Sequence, residues 1–170
     1  MNFCKDLFSK KQNDKLVSMK GRHIMTKKLK IGFGCDHGGI NLKNKLIEIF
    51  KDEYEYVDYG TYTPDSVDYP IYAKKVADAV VAGEVDRGII CCGSGIGVSI
   101  AANKVKGIRA VVCSDTTSAR YSRLHNDANV LCMGERIIGA LTAEDICRIW
   151  LDTEFEGGRH QRRVDMLNNM

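Results

Sequence analysis

The run Cys91-Cys92-Gly93-Ser94-Gly95-Ile96-Gly97 concentrates more chemistry than any other stretch of the chain. An apolar segment precedes it and a helix-like one follows, so its glycines fall between a strand and a helix. Glycine lets a backbone approach a ligand closely, and successive N–H groups at a helix start form an anion site. On the residues alone, three readings stand side by side. The loop is a dinucleotide turn with Asp115 holding a ribose, another anion or oxyanion site, or a plain tight turn. Its spacing departs from GxGxxG, and it lacks the Lys-Ser/Thr of a P-loop. Cys92 stands at the mouth of this turn. A thiol there can ionise and act as base or nucleophile, or it can be a small hydrophobe ending a buried strand. Cys91 must point to the opposite face of that strand.

Three other groups carry reactive side chains. Asp36-His37, followed by two glycines, occupies the equivalent turn after an earlier strand. His125-Asn126-Asp127 precedes a later strand outside any apolar stripe, and histidine is the usual acid–base group near neutral pH. Arg159 and Arg163 stand four apart at a helix start opened by Gly158. Two guanidiniums on one face suit a phosphate, and their opposition to the helix dipole points to a functional reason; a solvated basic face is the other reading. Arg136, after Met133-Gly134-Glu135, is a further candidate.

Alternating strands and helices must position these groups. Apolar runs predict strands over 29–35, 55–59, 87–92, 109–113 and 128–132. Helical spacing predicts helices over 39–51, 70–82, 96–104, 116–124, 142–152 and 158–168. This order implies one doubly wound, Rossmann-like α/β domain over 28–170, with a five-stranded, mainly parallel sheet flanked by helices. Such sheets bind ligands at the carboxyl ends of their strands. That is where the turns at Asp36, Cys92 and Ser114-Asp115 fall.

Composition bounds the remainder. The 170 residues are 44% hydrophobic and 28% charged, as in an ordinary globular domain. The net charge of +3 is unevenly spread. Residues 1–27 hold seven basic and two acidic side chains, leaving eighteen and twenty for 28–170. The globular part therefore lacks the basic surplus of a nucleic-acid binder. No apolar run reaches the ~18–20 residues that span a membrane. Seven cysteines, an odd number without a CxxC pair, read as reduced thiols of a cytoplasmic protein. Their spacing provides no zinc motif. Residues 1–27 have no secretory core and read as a disordered extension.

Taken together, GCDHGG at 34–39, DYP at 68–70, CCGSGIGVSIAANK at 91–104, GIRAVV at 107–112, SRLHNDANVL at 122–131 and EGGRHQRRV at 156–164 resemble the type B ribose-5-phosphate isomerases. Galactose-6-phosphate isomerase subunits belong to the same family. The resemblance runs from about residue 28 to the end and leaves 1–27 uncovered. It implies interconversion of ribose 5-phosphate and ribulose 5-phosphate through an enediolate, with neither metal nor organic cofactor. Cys92 would move the proton between C1 and C2, which places the chain in the thiol branch of the family. The amides of Gly93, Ser94, Gly95, Ile96 and Gly97 would hold the oxyanion. His125 would open the furanose ring with help from Ser94, and Tyr69 would sit near that machinery. Asp36 and Asn126 would hold sugar hydroxyls, while His37, Arg136, Arg159 and Arg163 would lie in or near the phosphate site. The resemblance further implies a homodimer or homotetramer with shared sites. His125, Asn126 and Arg136 would come from one subunit and the Cys92 loop from the other. Ser94 stands where many relatives have threonine, which keeps a six-carbon substrate, allose or galactose 6-phosphate, as the alternative.

Overall fold

The computed structural model describes residues 28–170; the expected extension over 1–27 lies outside them. Five strands are present: β1 (Lys30–Cys35), β2 (Glu55–Asp58), β3 (Arg87–Cys92), β4 (Ala110–Val112) and β5 (Val130–Gly134). The described α-helices are α1 (Ile40–Phe50), α2 (Tyr69–Val81), α3 (Ile96–Ala102), α4 (Thr116–Asn126), α5 (Ala140–Asp152) and α6 (Gln161–Asn168). Short 3-10 turns at His37–Gly39 and Gly158–His160 lead into α1 and α6. The strand order is β2-β1-β3-β5-β4, and every pairing is parallel.

β3 is fully buried along its length and occupies the centre of the sheet, as its unbroken apolar run requires. Alternation splits its side chains between two cores. Ile89 and Cys91 pack with Phe33, Leu46, Ile146 and Trp150 beneath α1 and α5. Ile90 and Cys92 pack with Val76, Val98 and Cys132 beneath α2 and α3. Arg87 begins the strand and stays buried, donating from Nη1 to the carbonyls of Trp150 (3.3 Å) and Leu151 (2.7 Å). A cation thereby meets the last turn of α5, where the helix dipole favours it.

Several expected boundaries shift by one to three residues, and the shift at β5 bears on the site. The strand expected over 128–132 starts at Val130 and runs through Gly134. α4 continues to Asn126, and Asp127 caps it in the left-handed conformation at φ 46°. Ala128 N–H then bonds back to the Ser122 carbonyl and closes the helix, while Asn129 donates to the Arg109 carbonyl and accepts from Gly88 N–H as the chain enters the sheet. The shift pairs Met133 with Cys91 and Gly134 with Cys92, which carries the exit of β5 up beside the Cys92 turn.

From β1 the chain moves outward to β2, then returns across β1 to β3. The carboxyl ends of β1 and β3 therefore flank a topological switch point, where α/β sheets open a crevice. Asp36 follows β1 and Cys92 ends β3; Asp36 N–H donates to the Cys91 carbonyl at 3.3 Å.

Candidate active site

A cleft of about 310 Å³ opens at this switch point. Cys92, Gly93, Ser94 and Gly97 form one wall, with Asp36, Tyr69, Arg136 and Ile137 around them. The volume lies at the small end of the usual ligand-site range, ~300–1,000 Å³.

Two glycines allow the walls to meet. Gly95 takes φ 80° as it enters α3, a conformation that disfavours L side chains. A Cβ on Gly134 would lie 2.6–2.7 Å from the backbone of Ser94, so only glycine permits β5 to press against the loop. Gly95 N–H donates to Cys92 Sγ at 2.9 Å, a backbone dipole aimed at the atom that would carry a thiolate charge. Ile96 N–H points to Ser94 Oγ at 3.3 Å. Two of the five amides expected to face an oxyanion thus have partners within the loop, and the Ile96 side chain is exposed.

The turn after β1 supplies Asp36, whose Oδ1 accepts from Gly38 N–H at 2.8 Å and leaves the carboxylate buried at the cleft. His37 Nδ1 accepts from Val67 N–H at 3.2 Å, which ties this turn to the segment before α2. Tyr69 opens α2 and packs over Gly97, where a Cβ would come within 2.9 Å of its ring. Arg136 N–H donates to the Gly93 carbonyl at 3.1 Å, and the guanidinium borders Gly93. The expectation that Arg136 would enter with His125 from a second subunit is corrected here: it lines the Cys92 cleft of its own chain. The cause is topology, because β5 is the direct neighbour of β3.

The remaining expected residues gather in a second cluster. His125 and His160 stack with ring centroids 4.1 Å apart and planes 7° apart. Glu156 Oε2 lies 3.7 Å from His125 Nε2 and 3.9 Å from His160 Nε2. Burial, then the neighbouring His125 and Arg159, hold His160 below the ordinary histidine value. Arg159 Nε donates to His160 Nε2 at 3.3 Å, and Arg163 Nη1 donates to the Arg159 carbonyl at 3.3 Å. Asn126, Arg159 and Arg163 have exposed side chains. None of these residues borders the cleft of its own chain. The two histidines and Glu156 place their ligand atoms within 4.8 Å of one another. Parallel rings direct their in-plane lone pairs side by side, however, and do not converge them on one metal ion.

Ile137 and Glu135 were not singled out from sequence. Ile137 follows Arg136 into the cleft. The carboxylate of Glu135 accepts from Leu42 N–H and Asn41 Nδ2, both at 2.9 Å, at the start of α1. Its own N–H donates to the Cys92 carbonyl at 2.8 Å. The only available signal was position: both belong to the turn after a central strand.

Fold and cleft together define a doubly wound α/β protein with a small ligand site built around a thiol, a carboxylate and a guanidinium. The chain belongs to the Ribose/Galactose Isomerase family, whose model matches residues 31–167. Ribose-5-phosphate isomerase B of Escherichia coli is 52% identical over 139 residues, covering 81% of this chain and 93% of that protein. The structure of Clostridium thermocellum ribose-5-phosphate isomerase B superposes with a TM-score of 0.82 at 54% identity, covering 83% of this chain and 96% of the other. Galactose-6-phosphate isomerase subunit LacB of Clostridium acetobutylicum is 38% identical over 135 residues, covering 79% of this chain and 78% of its own.

Proposed function

We propose that this protein interconverts ribose 5-phosphate and ribulose 5-phosphate by proton transfer through an enediolate, with Cys92 as the base. The observation that carries the reading is Cys92 Sγ at the cleft wall, held by the Gly95 amide and faced by a buried carboxylate and a guanidinium. With open-chain ribose 5-phosphate in the cleft, the thiolate takes the proton from C2. Electrons shift toward O1 as the enediolate forms, the hydroxyl proton of O2 passes to O1, and the thiol returns its proton to C1 as the C2 carbonyl forms. Nearby N–H dipoles stabilise the charge that develops on oxygen. Arg136 and the other arginines grip the phosphate, binding energy that positions C1 and C2 over sulfur. Asp36 and Ser94 face the sugar hydroxyls. No organic cofactor or metal is required by these steps.

The furanose must open first, and His125 is read as the acid that protonates the ring oxygen, with Asn126 beside it on the sugar. Because both lie away from the cleft of their own chain, we assign them to the site of a second copy. Exposed apolar side chains support such an assembly. Ile96 and Ile100 stand one turn apart on α3 beside the cleft, and Tyr121 lies one turn before His125. A dimer is the smallest assembly that completes the site. Among the described residues no helix is long and apolar enough to cross a membrane. The six described cysteines are all free, which supports a reducing, cytoplasmic setting.

The pentose is favoured over a hexose by the higher identity to the pentose-named relatives. The test is to supply ribose 5-phosphate and, in parallel, allose 6-phosphate, both with a chelator. Rapid, chelator-insensitive formation of ribulose 5-phosphate is expected. Turnover of the hexose alone would move the substrate assignment, and turnover of neither would contradict the activity.

A further inference from the structure

Asp127 is the single non-glycine residue with positive φ among the described residues, at φ 46° and ψ 45°. Asparagine and aspartate tolerate this conformation better than other side chains, yet glycine is the usual choice at a helix C-terminus. What aspartate adds is a carboxylate between two arginines. Its Oδ1 accepts from Arg123 Nη1 at 2.7 Å and its Oδ2 from Arg109 Nη2 at 2.9 Å. Both guanidiniums also hold the backbone around it. Arg109 Nε donates to the carbonyls of Asn126 (3.1 Å) and Asp127 (2.9 Å), and Arg123 Nη1 donates to the carbonyl of Ala128 (2.6 Å).

The clamp extends beyond its own turn. Arg109 Nη1 donates to Asn168 Oδ1 at 2.8 Å, which fastens the turn to α6, the helix that carries Arg163. Arg123 Nε reaches the Thr153 carbonyl at 3.3 Å, at the end of α5. Arg123 is 5% exposed, so removing the carboxylate would leave a buried guanidinium without its counter-charge. His125 and Asn126 are the last two residues before this clamp. Through these bonds the clamp fastens the end of α4 that carries them to the end of α5 and to α6.

We infer that Asp127 is a positioning residue for His125, acting through the Arg109 and Arg123 clamp. The inference rests on the reading of His125 as the ring-opening acid. Its consequence separates ring opening from proton transfer. Ribose 5-phosphate is supplied as a closed furanose and must open before the proton moves. Ribulose 5-phosphate cannot close a five-membered ring, because the oxygen on C5 is esterified. Exchange of its C1 proton with deuterated water therefore needs Cys92 and the open chain but no ring step. A displaced His125 slows isomerisation, in both directions alike as the equilibrium constant requires, and spares this exchange, whereas general damage to the fold slows both.

Isomerisation of ribose 5-phosphate and exchange of the ribulose 5-phosphate C1 proton with deuterated water would be measured for the full chain and for H125N, D127G and D127N. Glycine accepts the backbone conformation without the carboxylate; asparagine keeps the conformation and one acceptor oxygen. H125N is expected to lose isomerisation and keep exchange, which checks the underlying reading by itself. D127G is expected to lower kcat/KM for isomerisation by about 10- to 100-fold, the scale of a misplaced catalytic group, with exchange within about 3-fold. D127N is expected to recover part of the isomerisation loss. If D127G does not fold, D127N alone carries the test through a smaller loss that again spares exchange. An H125N that spares exchange beside Asp127 variants that slow exchange and isomerisation alike overturns the positioning role. An H125N that loses both overturns the reading of His125 and the inference with it.

Discussion

The six described cysteines do not share one environment. Burial pushes Cys35 and Cys113 up to about 11 and raises Cys91, Cys132 and Cys147 still further, so these five stay protonated at neutral pH. Cys92 is the one among them that borders the cleft and receives a backbone N–H on sulfur. Its candidacy was legible because a thiol directly precedes a glycine turn at a strand end. The partners of His125 were less so. His160 lies in a motif that drew attention for its arginines, and nothing in local spacing announces a ring stacked on a residue 35 positions away. That contact has a pH signature. His160 is held below its ordinary value of 6.5, first by burial and then by His125. The unfolded chain therefore takes up a proton near pH 6.5 that the folded chain accepts only at lower pH, so stability falls as pH drops through that window. Thermal melts between pH 8 and 5 are expected to show this decline in the native chain and a shallower one in H160N. Equal slopes would contradict the assignment.

At the level of elements, the site is a meeting of three turns, those after β1, β3 and β5. Their positions were legible from apolar runs that end in glycine and polar residues. Their mutual contact was not, because strand order depends on pairings that local pattern does not specify. Glu135 shows the limit: it reads as an ordinary surface acid, yet it bonds to α1 and to the Cys92 carbonyl. Lys43 shows it too. Helical spacing sets it among polar residues, but it is fully buried, with Nζ 2.8 Å from both oxygens of Asp58 and 3.0 Å from the Thr61 carbonyl. This pair ties α1 to the segment that leads toward Tyr69. One tight junction at the site is Gly134 against Ser94. A methyl group there meets backbone and must displace the loop. Gly134→Ala is expected to destabilise the fold by about 1–3 kcal/mol, the usual cost of overpacking, and to lower kcat by disturbing the Cys92 turn. Urea unfolding and steady-state rates check both; an unchanged midpoint with an unchanged kcat would contradict the account.

Over the whole molecule, a single chain holds the residues we assign to one reaction in two separate places. The cleft has thiol, carboxylate, tyrosine and Arg136. The tip of α4 and the start of α6 hold His125, Asn126, Arg159 and Arg163. The doubly wound sheet and the location of the first group followed from alternation of strands and helices. The placement of Arg136 with Cys92 required the strand order. Assembly of the two groups by a second copy makes a sharp prediction for mixed chains. C92S and H125N would each be prepared alone, then unfolded and refolded together. C92S alone is expected to lose about 10²- to 10⁴-fold in kcat, the usual contribution of a positioned base. In a shared-site dimer, a mixed pair contains one site with both defects and one with neither. Random assortment then restores about a quarter of native activity. Recovery near that level would support both the thiolate role and the shared site. Undiminished turnover by C92S alone, or no recovery from the mixture, would contradict the account.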